Sequence, residues 1–452
     1  MEFSENKQAN KQKKTLDYTQ NISLDEQAKI EDAKKKEQLI QRAKSFIRVA
    51  DSYYKIVHRP GKKGDLFKDY LKLNKSTITD DYTHGIIKYI PKYDDFCMVA
   101  SHTNYQQVVN GFYNEYSELT HKPVEGKFDA IMSIIQHVFG DAYINFGLDY
   151  LQILYTKPYE RLPILLLEST EKNTGKSTFA NLIFKMFQDN AIKIGNNDLQ
   201  SDFNSVWVKR LAIIVDETSL EKKGITQMLK RFSTETGKVT VNEKNKAQTE
   251  VDFFGKFIFV SNEEGKALSI ERGDPRWAVF KVPTFAEKGV KDNPLIEEAI
   301  QQEIPHFLHF LIHRKLFYKK ESRMYFAPEV YQTAQLQLYY NNAISKAGQL
   351  IKRLVIDTFD LFPNETKLCF GISDIQEELK GELKNLTREQ VKYALETELK
   401  FKAQERGRYS YHSRRLAEIN TNHLLGIKQE NKVHYVFPRF DAETWKSTND
   451  EF

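Results

Sequence analysis

The sequence predicts an α/β protein centred on a parallel sheet. An N-terminal α+β and helical region flanks it on one side, and a C-terminal module of winged-helix-like order on the other. Three observations predict this. From Pro163 to Pro283 the pattern runs strand, loop, helix, strand, helix, hairpin, strand; such alternation builds a sheet of parallel strands joined by helices. The strands in "LPILLLE", "LAIIV" and "FIFV" are unbroken apolar runs, as strands covered on both faces must be. After "FPNET" the composition shifts, and two short helical patterns lead through a basic run to the strand "KVHYVF".

Composition sets the broad class. Of 452 residues, 40% are hydrophobic and 29% charged, the balance of a globular chain and not of a disordered one. The length suggests about three domains. The longest apolar runs, such as Ile164 to Leu167 and Leu211 to Val215, fall far short of the roughly 20 residues a membrane span needs. The first thirty residues are polar and charged, so no secretory leader and no membrane partner are expected. Two cysteines, Cys97 and Cys369, can build neither a disulfide framework nor a zinc site, which fits a reducing cytoplasm. The net charge of +5 permits a polyanionic partner without demanding one.

The elements follow in order. Residues 1–45 read as a charged tail that turns helical near Leu24. Residues 46–125 carry aromatic and β-branched residues in a small α+β region with hairpins. In 126–160, "FDAIMSIIQHVFGDAYINFGLDYLQILYTKP" has apolar residues at helical spacing and reads as a collar of two packed helices. The sheet occupies 161–285, a helical lid or linker 286–350, and the C-terminal module 351–452. Pro305 is expected at the start of a helix, because its ring removes an N–H that a helix interior needs.

The chemistry begins at "STEKNTGKSTF". Gly175-Lys176-Ser177 stands between a buried-strand pattern and "STFANLIFKMF", whose Phe179, Leu182, Ile183 and Met186 have helical spacing. Strand, loop, helix is the setting a phosphate-binding loop requires. Thr170, Glu171, Lys172, Asn173, Thr174, Gly175, Lys176, Ser177 and Thr178 are the candidate nucleotide-binding residues. Loop N–H groups and the helix N-terminus surround phosphate. Lys176 offers a mobile charge to the β- and γ-phosphates, Ser177 offers a hydroxyl to Mg²⁺, and Gly175 keeps the approach free of a side chain. The full pattern places a glycine where Thr170 stands, and threonine suits that turn only if its φ stays negative.

Two further strands end in polar residues. "LAIIVDE" delivers Asp216 and Glu217 to the end of a strand where ligands of open α/β sheets bind. Asp216 suits a metal ion and Glu217 an attacking water. "FIFVSN" ends in Asn262, an amide able to contact a γ-phosphate or position water.

These three elements, in this order, resemble superfamily 3 helicases, and more closely the helicase part of phage and mobile-element primase–helicase proteins. The resemblance spans roughly Asp129 to Asn342 and is strongest from Leu162 to Val282. It implies a P-loop NTPase core of AAA+-like type, using ATP and Mg²⁺ and assembling into a ring, with six subunits expected. It further implies that "LKRFSTETGKVTVNEKNKAQTEVDF" holds a DNA-contacting hairpin, to which Lys244 and Lys246 match, with Lys238 as a further member. In "IERGDPRWAVFKVP", Arg276 best matches the arginine that reaches a neighbouring subunit's nucleotide, and Arg272 is the second candidate. Single-stranded or forked DNA, and a separate primase or polymerase, are the implied partners. The implied setting is the cytoplasm of a bacterial host. No primase centre stands out before the sheet; the pairs Asp80-Asp81 and Asp94-Asp95 read as surface turns.

The C-terminal module reads as helix, helix, basic loop, strand. Thr387 is an N-cap with Gln390 closing a capping box. In a winged helix-turn-helix, Arg388 and Lys392 would face a major groove, and Arg406, Arg408, Arg414 and Arg415 would grip phosphates from the wing. A protein-contact module is the competing reading of this segment. For the whole chain the alternatives are an ATP-switched DNA-binding initiator or regulator that does not unwind, and a DNA-packaging or remodelling ATPase.

Overall fold

The computed structural model describes residues 24–447 apart from 61–65, 217–222, 235–236, 245–247, 266, 269, 288–292, 384–385 and 420–425. Glu217 and Lys246, expected at the site and at the hairpin, lie outside the described residues. The chain divides into two compact units, 1–118 and 119–452.

The first unit opens with helix α1 (Leu24–Ala43), exposed along almost its whole length. Only its last turns are anchored, where Leu39 and Ala43 join a core around Phe46, Tyr53, Ile78 and Ile86. Strands β1 (Phe46–Val49), β2 (Ser52–Pro60), β3 (Leu66–Leu73) and β4 (Lys92–Tyr93) form a sheet of order β3-β2-β1-β4, with α2 (Lys75–Tyr82) between β3 and β4. A second small sheet joins β5 (Phe96–Cys97), β6 (Val108–Val109) and β7 (Phe112–Asn114). Asp80, Asp81, Asp94 and Asp95 are all exposed.

The second unit begins with α3 (Asp129–Thr156), broken at Gly140 with φ +64°. Only glycine takes that backbone without strain, so the apolar pattern is spent on two helical segments meeting there. Glu303 caps the first segment from another helix, its carboxylate accepting from the Ala130 and Ile131 N–H groups at 3.1 and 2.9 Å. That satisfies donors the helix leaves open and places negative charge at its positive end.

The central sheet contains β8 (Ile164–Glu168), β9 (Ala191–Ile194), β10 (Ala212–Val215), β13 (Lys256–Ser261) and β14 (Trp277–Lys281) in the order β14-β8-β13-β10-β9. Every pairing is parallel. The alternation in the sequence anticipates this sheet. It does not reveal β9, whose four residues at the sheet edge carry only an "AIKI" signal. Helices α4 (Lys176–Phe187), α5 (Asn196–Gln200) and α6 (Lys223–Thr234) connect the strands, and β11 (Lys238–Val241) pairs antiparallel with β12 (Thr249–Asp252) as a hairpin between α6 and β13.

Helix α7 (Ile296–His313) corrects one expectation, for Pro305 sits inside it. Interior proline typically costs about 3 kcal/mol. Ile300, Ile304, Phe307, Leu308 and Leu311 are buried along one face, and burying each such side chain contributes roughly 1.5–3 kcal/mol, so the helix continues through. The carbonyl that loses its donor belongs to exposed Gln301, where water can replace it.

Helices α8 (Ala334–Asn342) and α9 (Lys346–Leu361) lead into a three-stranded sheet of β15 (Lys367–Phe370), β16 (Gln404–His412) and β17 (Ile427–Pro438), ordered β15-β17-β16. Helices α10 (Ile372–Glu378) and α11 (Arg388–Tyr393) lie between β15 and β16, α12 (Arg414–Ile419) between β16 and β17, and α13 (Arg439–Ser447) follows. The Thr387 capping box is present as expected. The expected basic loop is instead strand β16: Tyr409 and Tyr411 turn inward while Arg406 and Arg408 stay exposed, a period-two pattern that the density of charge obscures. This region has its own core around Ile351, Phe370, Ile375, Leu395 and Phe437.

Candidate nucleotide site

Because the strands are parallel, Glu168, Val215 and Ser261 all end on one edge of the sheet. The loop 169–175, Asp216 and Asn262 therefore emerge side by side. β13 lies between β8 and β10, so Asn262 issues between the loop and Asp216, about 5 Å from each strand's line.

Left-handed backbone in the loop falls at Asn173 (φ +56°) and Gly175 (φ +85°), not at Thr170. Threonine is thus tolerated at the turn leaving the strand, and the glycine requirement sits at Gly175. The space there is snug but not closed: a Cβ would stand 3.3 Å from the Phe285 ring and 3.5 Å from His137. His137 stacks on Phe285 with centroids 4.6 Å apart. Its Nε2 lies 3.0 Å from the Thr174 carbonyl and 3.1 Å from that of Pro283. Both partners are acceptors, so Nε2 carries the proton and donates. The first segment of α3 thereby fixes the loop from behind. Neither His137 nor Phe285 belongs to a motif, and sequence reasoning missed both.

Lys176 is buried, and its ammonium donates to the Ser169 carbonyl (3.2 Å), the Glu171 carbonyl (3.0 Å) and the Thr174 hydroxyl (3.1 Å). Burial lowers its pKa, against the opposing charges of Glu168, Asp216 and Glu264. Ser177 and Asp216 are exposed, and no side chain caps the N-terminus of α4. The first N–H groups of that helix thus remain to be satisfied by a ligand or solvent.

Glu168 is a further residue that sequence reasoning missed. It is fully buried at the end of β8 and accepts from the Tyr339 hydroxyl at 2.5 Å, the Gly265 N–H at 3.2 Å and the Gln335 amide. Burial pushes its carboxyl up to about 7. A glutamate closing an apolar strand is the one available signal, and it reads equally as the start of a solvated turn.

Of the expected arginines, Arg276 lies at the opposite edge. Arg276 precedes β14, and its carbonyl accepts from the N–H of Ile164, the first residue of β8. Five strand residues, about 16 Å, separate it from its own loop. Its guanidinium donates to buried Asp274 at 2.8 Å, whereas Arg272 is exposed.

In the hairpin, Lys244 is exposed in the turn following β11. Lys238 pairs with Asp252 at the far end of the ladder, so it sits at the hairpin base and not at the tip. Asn204 anchors the hairpin, donating to the Thr240 carbonyl at 2.9 Å and accepting from the Asn242 N–H at 2.7 Å.

Arg388, Lys392, Arg406, Arg408 and Arg415 are exposed. Arg414 differs. It is buried at the start of α12 and bound to Asp357 at 2.9 Å and Glu382 at 2.5 Å. Two carboxylates already neutralise that guanidinium, which corrects the expectation that it faces phosphate from a wing.

Residues 167–276 match a family of unknown function, DUF5906. A search of curated proteins finds no match. Among solved structures, the apo C-terminal region (305–718) of NrS-1 superposes with a TM-score of 0.55 at 17% identity, covering 86% of this chain and 89% of that one. Another apo form of that region gives 0.54 at 18% identity, covering 78% and 85%. This chain shares their fold. A JCV helicase structure covers 49% of this chain and 62% of that one, at 13% identity and a TM-score of 0.28, too low to carry an argument. Among the described residues no helix is long and apolar enough to cross a membrane.

Proposed function

We propose that this chain is an ATP-dependent, ring-forming DNA helicase of superfamily 3 type, serving replication of a phage or mobile element. The convergence of Lys176, Ser177, Asp216 and Asn262 on one edge of a single parallel sheet carries this reading. Lys176 would exchange three loop oxygens for phosphate oxygens. The N-terminus of α4 and a loop stripped of a side chain at Gly175 form a cradle that fits a triphosphate. The hydroxyl of Ser177 and the carboxylate of Asp216 are hard oxygen donors suited to Mg²⁺, which when bound would neutralise charge on the phosphates. Glu217 is the proposed water-orienting base.

Arg276 leaves on the edge away from its own loop, which favours contact with a nucleotide on another subunit and so supports a ring; Arg272 is the second candidate. Lys244 and Lys246 are the proposed DNA contacts of the hairpin. The order α9, β15, α10, α11, β16, β17 supports a winged helix, with Arg388 and Lys392 on its second helix and Arg406, Arg408 and Arg415 as phosphate contacts.

The test is Lys176→Ala, which should abolish ATP hydrolysis while leaving the circular dichroism spectrum and melting temperature near those of the parent. Substantial residual ATPase would sink the assignment. The exposed basic residues of the C-terminal module, Arg388, Lys392, Arg406, Arg408 and Arg415, favour one second reading, an ATP-switched initiator. A strand-displacement assay on forked DNA separates the two, because the initiator would hydrolyse ATP and leave the duplex intact.

A further inference from the structure

Two open cavities adjoin where α9, α13, the 399–402 turn and the Arg272 loop come together. One, of about 740 Å³, is lined by Lys346, Lys352, Arg353, Trp445 and Lys446 among others. The other, of about 400 Å³, is lined by Arg272, Lys400, Lys402, Asp441 and Trp445. Trp445 walls both. Lys352 lies over its ring at 5.4 Å and donates to the Asn341 side chain at 3.0 Å.

The charges are unbalanced. Asp357 is taken by Arg353 and Arg414, and Asp360 by Lys446. Glu271 is held by Lys230 at 2.8 Å, with Lys400 also in its field. Asp441 is the one carboxylate among the residues lining the second cavity, and burial raises its pKa against the charge of Arg272. Among the described residues Arg272, Lys346, Lys352, Lys400 and Lys402 make no ion pair within 4 Å. Burial, reinforced by Arg272, pushes Lys352 down to about 8, so the cations of the two cavities sense one another. Lys400 is held at φ +60°, a conformation costing an ordinary side chain roughly 1–2 kcal/mol.

We propose that these two cavities form one track for the sugar–phosphate backbone of a DNA strand, gripped by Lys346, Lys352, Lys400, Lys402 and Arg272. Cations spread over both cavities match a run of phosphates better than a single anion. The track rests on the helicase reading for its partner. Its residues are distinct from those of the hairpin and from the exposed arginines of α11 and β16. It also gives Arg272 a role within its own chain, leaving Arg276 as the residue for a neighbouring nucleotide.

The experiment is fluorescence anisotropy of a labelled oligothymidylate titrated with the full chain over a series of salt concentrations. The variant is Lys346→Ala, Lys400→Asn, Lys402→Ala, in which asparagine suits the left-handed backbone. Affinity should fall roughly tenfold or more. The slope of log affinity against log salt should flatten by about 2, because each lysine that neutralises a phosphate of a single strand adds roughly 0.7 to it. ATPase without DNA should be unchanged. Unaltered affinity and slope would overturn the track while leaving the helicase reading intact. A parent chain that hydrolyses ATP but binds no oligonucleotide would overturn both. Displacement of the strand by millimolar inorganic phosphate, abolished in the variant, would make this a small-anion site and also overturn the proposal. If the triple variant melts early, Lys402→Ala alone, at an exposed position, should still flatten the slope by about 0.7; an unchanged slope counts against the track.

Discussion

The Tyr339 hydroxyl donates to the Glu168 carboxylate at 2.5 Å, joining the last residue of β8 to helix α8 directly beneath the loop that holds Lys176. Glu168 also receives the N–H of Gly265, just beyond Asn262. One buried carboxylate therefore ties the candidate phosphate loop, the asparagine strand and the following helix together.

This carboxylate should make stability depend on pH. Its pKa is raised from 4.5 to about 7, so between those values the folded chain holds a proton that the unfolded chain has released. Stability from this group falls as pH rises across that window, and the full penalty, about 3 kcal/mol, is present above 7. Glu168→Gln should flatten the fall in melting temperature between pH 5 and 8. An identical fall in parent and variant would remove Glu168 as its source.

Alanine at both Lys244 and Lys246 should lower DNA-stimulated ATPase and unwinding several-fold, with basal ATPase largely retained, because phosphate contacts grip a strand without reading it. Parent-like unwinding would take the hairpin out of the mechanism.

Mixing Arg276→Ala subunits with Lys176→Ala subunits should restore part of the ATPase that each lacks alone, since some interfaces then pair an intact arginine with an intact loop. An arginine acting across an interface is typically worth 10³-fold or more in turnover. Absence of rescue at every ratio, with assembly verified by light scattering, would argue against action in trans.

Arg414→Ala should destabilise the protein by about 1–3 kcal/mol, because it leaves Asp357 and Glu382 without their shared partner in a half-buried setting. DNA affinity should stay near that of the parent. A variant of parent stability with weakened DNA binding would return Arg414 to the DNA surface.

Much of this was legible in the residues. The parallel sheet followed from apolar runs alternating with helical patterns. The Lys176–Ser177 loop followed from its place between strand and helix, and the Thr387 cap from a two-residue rule. These signals are local: period, spacing and turn chemistry are written within a dozen residues. What stayed hidden was set by neighbours distant in sequence. The helix through Pro305 depends on a buried face that outweighs one missing hydrogen bond. The identity of β16 depends on which side of a charged run finds a core. Arg406 and Arg414 read alike in the chain, and only the presence of Asp357 and Glu382 around one of them separates an exposed cation from a neutralised one. His137 reaches the loop from α3, and Glu168 meets Gly265, Gln335 and Tyr339, through packing that no spacing encodes. The sequence by itself determined which chemistry the loop can offer. The tertiary structure decided which charges remain open to a ligand, because pairing and burial belong to the folded neighbourhood and not to the residue.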